Sequence, residues 1–106
     1  HKLDNLVCVV DRNRLSVTRI IETGVVFGNF EEKMRFFDWD CIEIDGHNYE
    51  EIFSALEACE NSPRPLMILA NTIKGKGVSF MESVTKWHHS VPSQIEVEMA
   101  RAELKL

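Results

Sequence analysis

Leu66-Met67-Ile68-Leu69-Ala70 is an unbroken apolar run, with Pro63 and Pro65 before it and Asn71-Thr72 after it. A strand with one wet face alternates apolar with polar residues, so a short continuous run reads as a strand covered on both faces. Upstream, Leu6-Val7-Cys8-Val9-Val10 has the same character and ends on the polar Asp11-Arg12-Asn13-Arg14; it too is predicted to be a strand buried on both faces. A third, shorter strand is predicted over Asp40-Cys41-Ile42-Glu43-Ile44-Asp45, closed by Gly46. Between and after these runs, three segments share one helix-start chemistry. Asn29, Asn48 and Ser93 each offer a side-chain acceptor to the first free amides, and Glu32, Glu51 and Glu96 stand three residues later to reach back. Helical spacing places Phe30, Met34 and Phe37 on one face of the first helix. It places Ile52, Phe53 and Leu56 on the second, and Ile95, Met99 and Ala102 on the third. From Leu15 to Gly28 the pattern is weak and reads as a connection. Strands alternating with helices require right-handed crossovers and a parallel sheet. The fold class is therefore α/β, a parallel sheet with flanking helices, forming a single domain over residues 1–106.

Composition narrows the functions open to such a domain. Apolar residues make up 44% of the 106 and charged ones 27%, which is globular rather than disordered. Seventeen acidic residues against twelve basic ones leave a net charge of -5, which repels a phosphate backbone, so no nucleic-acid partner is expected. No apolar run approaches the ~20 residues of a membrane span, so no membrane partner is expected either. Three cysteines without paired spacing fit neither a disulfide framework nor a zinc knuckle; a reduced, cytoplasmic setting is expected, with Cys8, Cys41 and Cys59 as small core hydrophobes. The first residue is His1 and no signal-peptide pattern follows, so the chain reads as processed or as a piece of something larger.

Ligands of open parallel sheets bind beyond the carboxyl ends of the strands. That rule selects Asp11 to Ser16, Asp45 to Asn48 and Thr72 to Gly77. In the first, Asp11-x-Asn13-x-Leu15 brings side-chain and carbonyl oxygens to a strand end; such oxygens suit magnesium, and Asx residues equally favour any turn. His47 belongs to the turn before the second helix. In Thr72-Ile73-Lys74-Gly75-Lys76-Gly77 the glycines permit close backbone approach and the lysines supply charge, which serves a phosphate contact or a basic surface turn. The spacing is not that of a Walker A loop. His88-His89 after Trp87 is a poor chelate, because neighbouring side chains diverge. Either ring could act as donor or general acid/base beside an anion, or both could be plain loop histidines.

Taken in order, these blocks resemble the thiamine-diphosphate module of transketolase. The resemblance runs from Lys2-Leu3-Asp4-Asn5-Leu6-Val7 through Asp11-Arg12-Asn13-Arg14-Leu15-Ser16. It resumes at Ile42-Glu43-Ile44-Asp45-Gly46-His47 and at Thr72-Ile73-Lys74-Gly75-Lys76-Gly77-Val78-Ser79-Phe80-Met81-Glu82, and ends at Trp87-His88 and Pro92. It is similar above all to the amino-terminal subunit of split bacterial transketolases. The resemblance implies thiamine diphosphate and a divalent ion, Mg2+ (or Ca2+ or Mn2+), as cofactors. Asn13 and the carbonyl of Leu15 fall on metal-ligand positions. His88 falls on the histidine that contacts the diphosphate and moves protons on the bound sugar, and His89 on a position that is often glycine. The implied reaction is transfer of a two-carbon ketol unit between sugar phosphates, within the pentose phosphate pathway. The implied partner is the pyrimidine-binding subunit or domain of transketolase, in an oligomer.

Two departures qualify what this chain does alone. The Gly-Asp-Gly block, which supplies an aspartate ligand, should lie more than twice as far upstream of Asn13 as the residues present, and the cofactor-activating glutamate belongs to another module. Val17-Thr18-Arg19 replaces the usual Asp-Gly pair. The chain thus resembles the carboxyl-terminal part of a diphosphate-binding module, expected to be inactive in isolation. The alternatives are another thiamine-diphosphate enzyme, of deoxyxylulose-phosphate synthase or 2-oxo-acid dehydrogenase type, or a non-catalytic remnant or interaction module of the same fold. Trp87-His88 favours transketolase.

Overall fold

The structure, a computed structural model, describes residues 3–15 and 28–106. Most of the connection expected from Leu15 to Gly28, including Val17-Thr18-Arg19, lies outside the described residues. Elements follow in the order β1 (Val7–Arg12), α1 (Phe30–Phe36), β2 (Asp40–Asp45), α2 (Tyr49–Cys59), β3 (Leu66–Asn71), a 3-10 helix (Thr85–His88) and α3 (Gln94–Leu104). The chain divides into two compact units, one holding β1, α1, β2, α2 and β3 through Thr72, the other holding residues 13–15 and everything from Ile73 onward.

In the first unit the strands form a parallel sheet, three-stranded among the described residues, in the order β1-β3-β2. β3 is central, and its five apolar residues Leu66 to Ala70 are all buried, as their continuity predicts. Val7, Leu66 and Asp40 align across the sheet, so Arg12, Asn71 and Asp45 end the three strands side by side. α2 covers one face, where Ala55 packs with Ile44, Leu66, Ile68 and Ala70, flanked by Ile42, Ile52 and Cys59. α1 packs against β2.

Three expectations are corrected here. β1 is not covered on both faces: Val7 and Val9 share the α2 side of the sheet with Leu66 and Ile68, yet both are exposed, Val9 by 60%. The reason is position, since α2 lies on β2 and β3 and its cover stops short of the edge strand. β1 also runs through Asp11 and Arg12, because pairing with Ala70 and Asn71 extends it past its apolar part. On α2 the buried stripe is Ile52, Ala55 and Cys59; Phe53 and Leu56 are exposed. The small Ala55, only 2% exposed, marks where helix and sheet approach most closely, and a larger side chain belongs on the open side.

All three expected caps form. Asn29 accepts from Glu32 N at 3.1 Å and Asn48 from Glu50 N at 3.0 Å. Ser93 and Glu96 make the full reciprocal capping box. In the second unit the apolar side expected of α3 lies open instead, with Ile95 75% exposed and Met99 also exposed. Phe37, expected on the apolar face of α1, is exposed as well, since the helix ends at Phe36.

Candidate functional site

The strand ends in the first unit are joined by side chains. Arg12 Nε donates to Asn71 Oδ1 at 2.8 Å, Arg12 Nη2 to Glu43 Oε1 at 2.8 Å, and Asn71 Nδ2 to the same Glu43 oxygen at 2.8 Å. One residue from each strand thus forms a closed triangle of charge-assisted bonds. Thr72 Oγ1 donates to Asp11 Oδ1, a second tie between β1 and the exit of β3. Beyond β2, His47 N donates to Asp45 Oδ1 at 2.9 Å and Gly46 N to the Asn71 carbonyl at 2.8 Å, which places His47 in the turn before α2, as expected. Sequence reading missed Arg12, Glu43 and Asn71, because only the strand register reveals that they are neighbours.

In the second unit, Asn13 Oδ1 accepts from Leu15 N at 3.0 Å across Arg14, whose φ of 61° is left-handed. This is an Asx turn, and it fixes the bearing of the amide oxygen relative to the Leu15 main chain. A non-glycine residue held at positive φ stores about 1 kcal/mol or more of backbone strain, a cost that clusters at ligand sites. Among the described residues no three His, Cys, Asp or Glu side chains gather to hold a metal ion. An amide oxygen and a main-chain carbonyl fall outside that set, and as hard neutral donors they fit Mg2+, Ca2+ or Mn2+ as part of a shell.

The glycine loop closes on the chain's own anion. Gly75 and Gly77 take φ values of 78° and 96°. The Gly77 amide donates to Glu82 Oε1 at 3.0 Å, and Lys76 Nζ lies 3.8 Å from that oxygen. The carboxylate of Glu82 thus occupies the amide that an external phosphate would use. His88 ends the 3-10 helix, exposed, with its ring edge-to-face against His89 at 4.7 Å. What the structure joins directly is Asn13 with Leu15, and His88 with His89. Cys8, Cys41 and Cys59 are free thiols; Cys41 is buried, and burial, then the charge of Glu31, pushes its thiol pKa up, which keeps it inert.

The family described as "Transketolase, thiamine diphosphate binding domain" matches residues 1–106. One of the two subunits of an apulose-4-phosphate transketolase from Phocaeicola vulgatus is 36% identical over 105 residues, covering 98% of this chain and 37% of that protein. The 6-deoxy-6-sulfo-D-fructose transketolase subunit SqwG of a Clostridium species is 37% identical, covering 98% and 38% respectively. Human transketolase is 33% identical over 88 residues, 83% of this chain and 14% of its own. Among solved structures, transketolase from Campylobacter jejuni superposes with a TM-score of 0.90 at 29% identity, over 100% of this chain and 17% of that one. A parallel α/β sheet with polar strand ends defines the class, a cofactor-binding α/β module. The chain belongs to the transketolase thiamine-diphosphate-binding family. It spans less than two fifths of the length of the curated relatives it matches.

Proposed function

We propose that the chain is the diphosphate-binding part of a transketolase that moves a two-carbon ketol unit between sugar phosphates. The observation that carries this reading is the family match over all 106 residues. Asn13 and the Leu15 carbonyl would hold Mg2+ (or Ca2+ or Mn2+), with the Asx turn setting the two oxygens in fixed relation. Thiamine diphosphate, when bound, supplies the carbanion chemistry that breaks and makes the carbon–carbon bond. His88, exposed on its turn, would donate an N–H to a diphosphate oxygen and hold or return a proton at a sugar hydroxyl. A separate pyrimidine-binding subunit completes the oligomeric enzyme and brings the activating glutamate. This follows from relatives that carry the name of transketolase subunits. Those names also widen the substrates beyond the pentose phosphate pathway, to ketoses ending in a phosphate or a sulfonate. Three unpaired thiols favour a cytoplasmic enzyme.

The test is parallel steady-state kinetics on His88→Ala and His89→Ala in the whole enzyme, with cofactor saturating so that an affinity defect does not imitate lost chemistry. Loss of His88 should lower turnover by roughly 10²–10⁴, and loss of His89 far less. Equal, small effects would return both to loop histidines, and a large effect at His89 alone would shift the assigned position by one.

A further inference from the structure

We propose that Trp87 is the positioning residue for His88, an inference that rests on the reading of His88 as the diphosphate and sugar contact. Thr85–His88 is a single 3-10 turn, and its N-cap Val84 provides no side-chain hydrogen bond. A turn that short has little stability of its own. Its main-chain bonds are long, with Trp87 N to Val84 O at 3.3 Å and His89 N to Lys86 O at 3.4 Å. Trp87 supplies what the backbone lacks. It is half-buried between the exposed Lys86 and His88, and it is held in three directions. Its indole Nε1–H donates to the Phe80 carbonyl at 3.0 Å. Its ring meets Phe80 edge-to-face, 5.5 Å between centroids at 62°. Over its face lies the Lys86 ammonium, 4.4 Å from the centroid, which also reaches Glu96 Oε1 at 3.4 Å and so ties the turn to the capping box of α3.

Residues in a 3-10 helix are about 120° apart, so a side chain pinned inward dictates the bearing of the next one. His88 is that next residue. Its ring contact is with His89, which is itself exposed. The indole therefore sets the direction of the imidazole, and its N–H is the part that a plain hydrophobic residue could not replace.

Trp87→Phe keeps an aromatic ring beside Phe80 and Lys86 and deletes the N–H donor; Phe80→Leu keeps the carbonyl acceptor and removes the ring edge. In the whole enzyme with cofactor saturating, Trp87→Phe should lower kcat roughly tenfold to a hundredfold, as misplacing a catalytic group does. Trp87→Phe combined with His88→Ala should be no slower than His88→Ala alone, because the indole acts through the imidazole. In the same protein without cofactor, the ring resonances of His88 should shift or broaden in Trp87→Phe and, less strongly, in Phe80→Leu. An unchanged kcat, or losses that multiply in the double variant, would overturn the proposal. If His88→Ala itself leaves turnover intact, the site reading has failed. An unmoved His88 resonance in Trp87→Phe defeats the positioning role whatever the kinetics show.

Discussion

Gly75 and Gly46 are glycine for different reasons, and substitution separates them. At Gly75 the φ of +78° disfavours any side chain, and an added Cβ would lie 2.6 Å from the Met81 carbonyl oxygen. Gly46 is not left-handed, but an added Cβ there would stand 2.5 Å from Thr72 Cγ2 and 3.2 Å from the Asn71 carbonyl, where β2 turns against the exit of β3. Gly28 has φ +61° and meets only the flexible Lys33 Nζ at 3.7 Å. Gly75→Ala and Gly46→Ala should each cost about 1–3 kcal/mol in urea unfolding. Gly28→Asn, a residue that tolerates the left-handed region, should cost less than about 1 kcal/mol. Equal losses at Gly28 and Gly75 would show that backbone angle outweighs contact. These glycines were legible as turn or loop positions, but not the partners that make two of them irreplaceable. Met81 and Thr72 approach only once the loop and the sheet are formed.

At the scale of elements, the helix starts were legible because a cap is a local contract between residues three apart. The buried faces were less so. α2 carries two apolar stripes, Tyr49-Phe53-Leu56 and Ile52-Ala55-Cys59, and helical spacing alone cannot choose between them. Alanine decided it, since the sheet approaches where the side chain is smallest. The caps also predict a response to acid. The Ser93 amide holds the Glu96 carboxyl below its ordinary value of 4.5, with help from the Ser93 hydroxyl and Lys86. In the same way, the Ser79 amide and then its hydroxyl lower Glu103. A lowered carboxyl stabilises the fold fully above the unfolded value and loses that contribution as pH falls through the folded one. Thermal melts from about pH 6 to about pH 3 should therefore fall less steeply in Glu96→Gln, and less still with Glu103→Gln added. A steeper acid limb in either variant would contradict the assignment. Ser93→Ala should cost about 1 kcal/mol at neutral pH, read from the same melts.

For the whole molecule, the α/β class and parallel sheet followed from three apolar runs and the helices between them. The order β1-β3-β2 did not, because it depends on where β3 inserts. With the order comes the open face of β1, where Val7 and Val9 lie exposed beside Leu3 and Leu6, also exposed. Apolar surface of this kind drives association. The chain alone should self-associate as concentration rises, and Val9→Thr should reduce this while keeping a β-branched residue in the strand; sedimentation velocity on the two proteins decides, and a wild-type monomer at every concentration would count against it. The candidate site was legible at Asn13 and His88 through resemblance, whereas the Arg12-Glu43-Asn71 triangle and the anchoring of Trp87 emerged only from the folded geometry. The central claim is that Asn13 gives an oxygen to the metal that holds the cofactor. Its most direct test is retention of thiamine diphosphate by the whole enzyme against magnesium concentration, for the wild type, Asn13→Ala and Asn13→Asp. The account predicts that Asn13→Ala needs clearly more magnesium, that Asn13→Asp, which keeps an oxygen in place, stays near the wild type, and that cofactor-free thermal stability differs by no more than about 1 kcal/mol among the three. Superimposable magnesium curves with a lowered melting temperature for Asn13→Ala would contradict it, leaving Asn13 as a residue that only forms the turn.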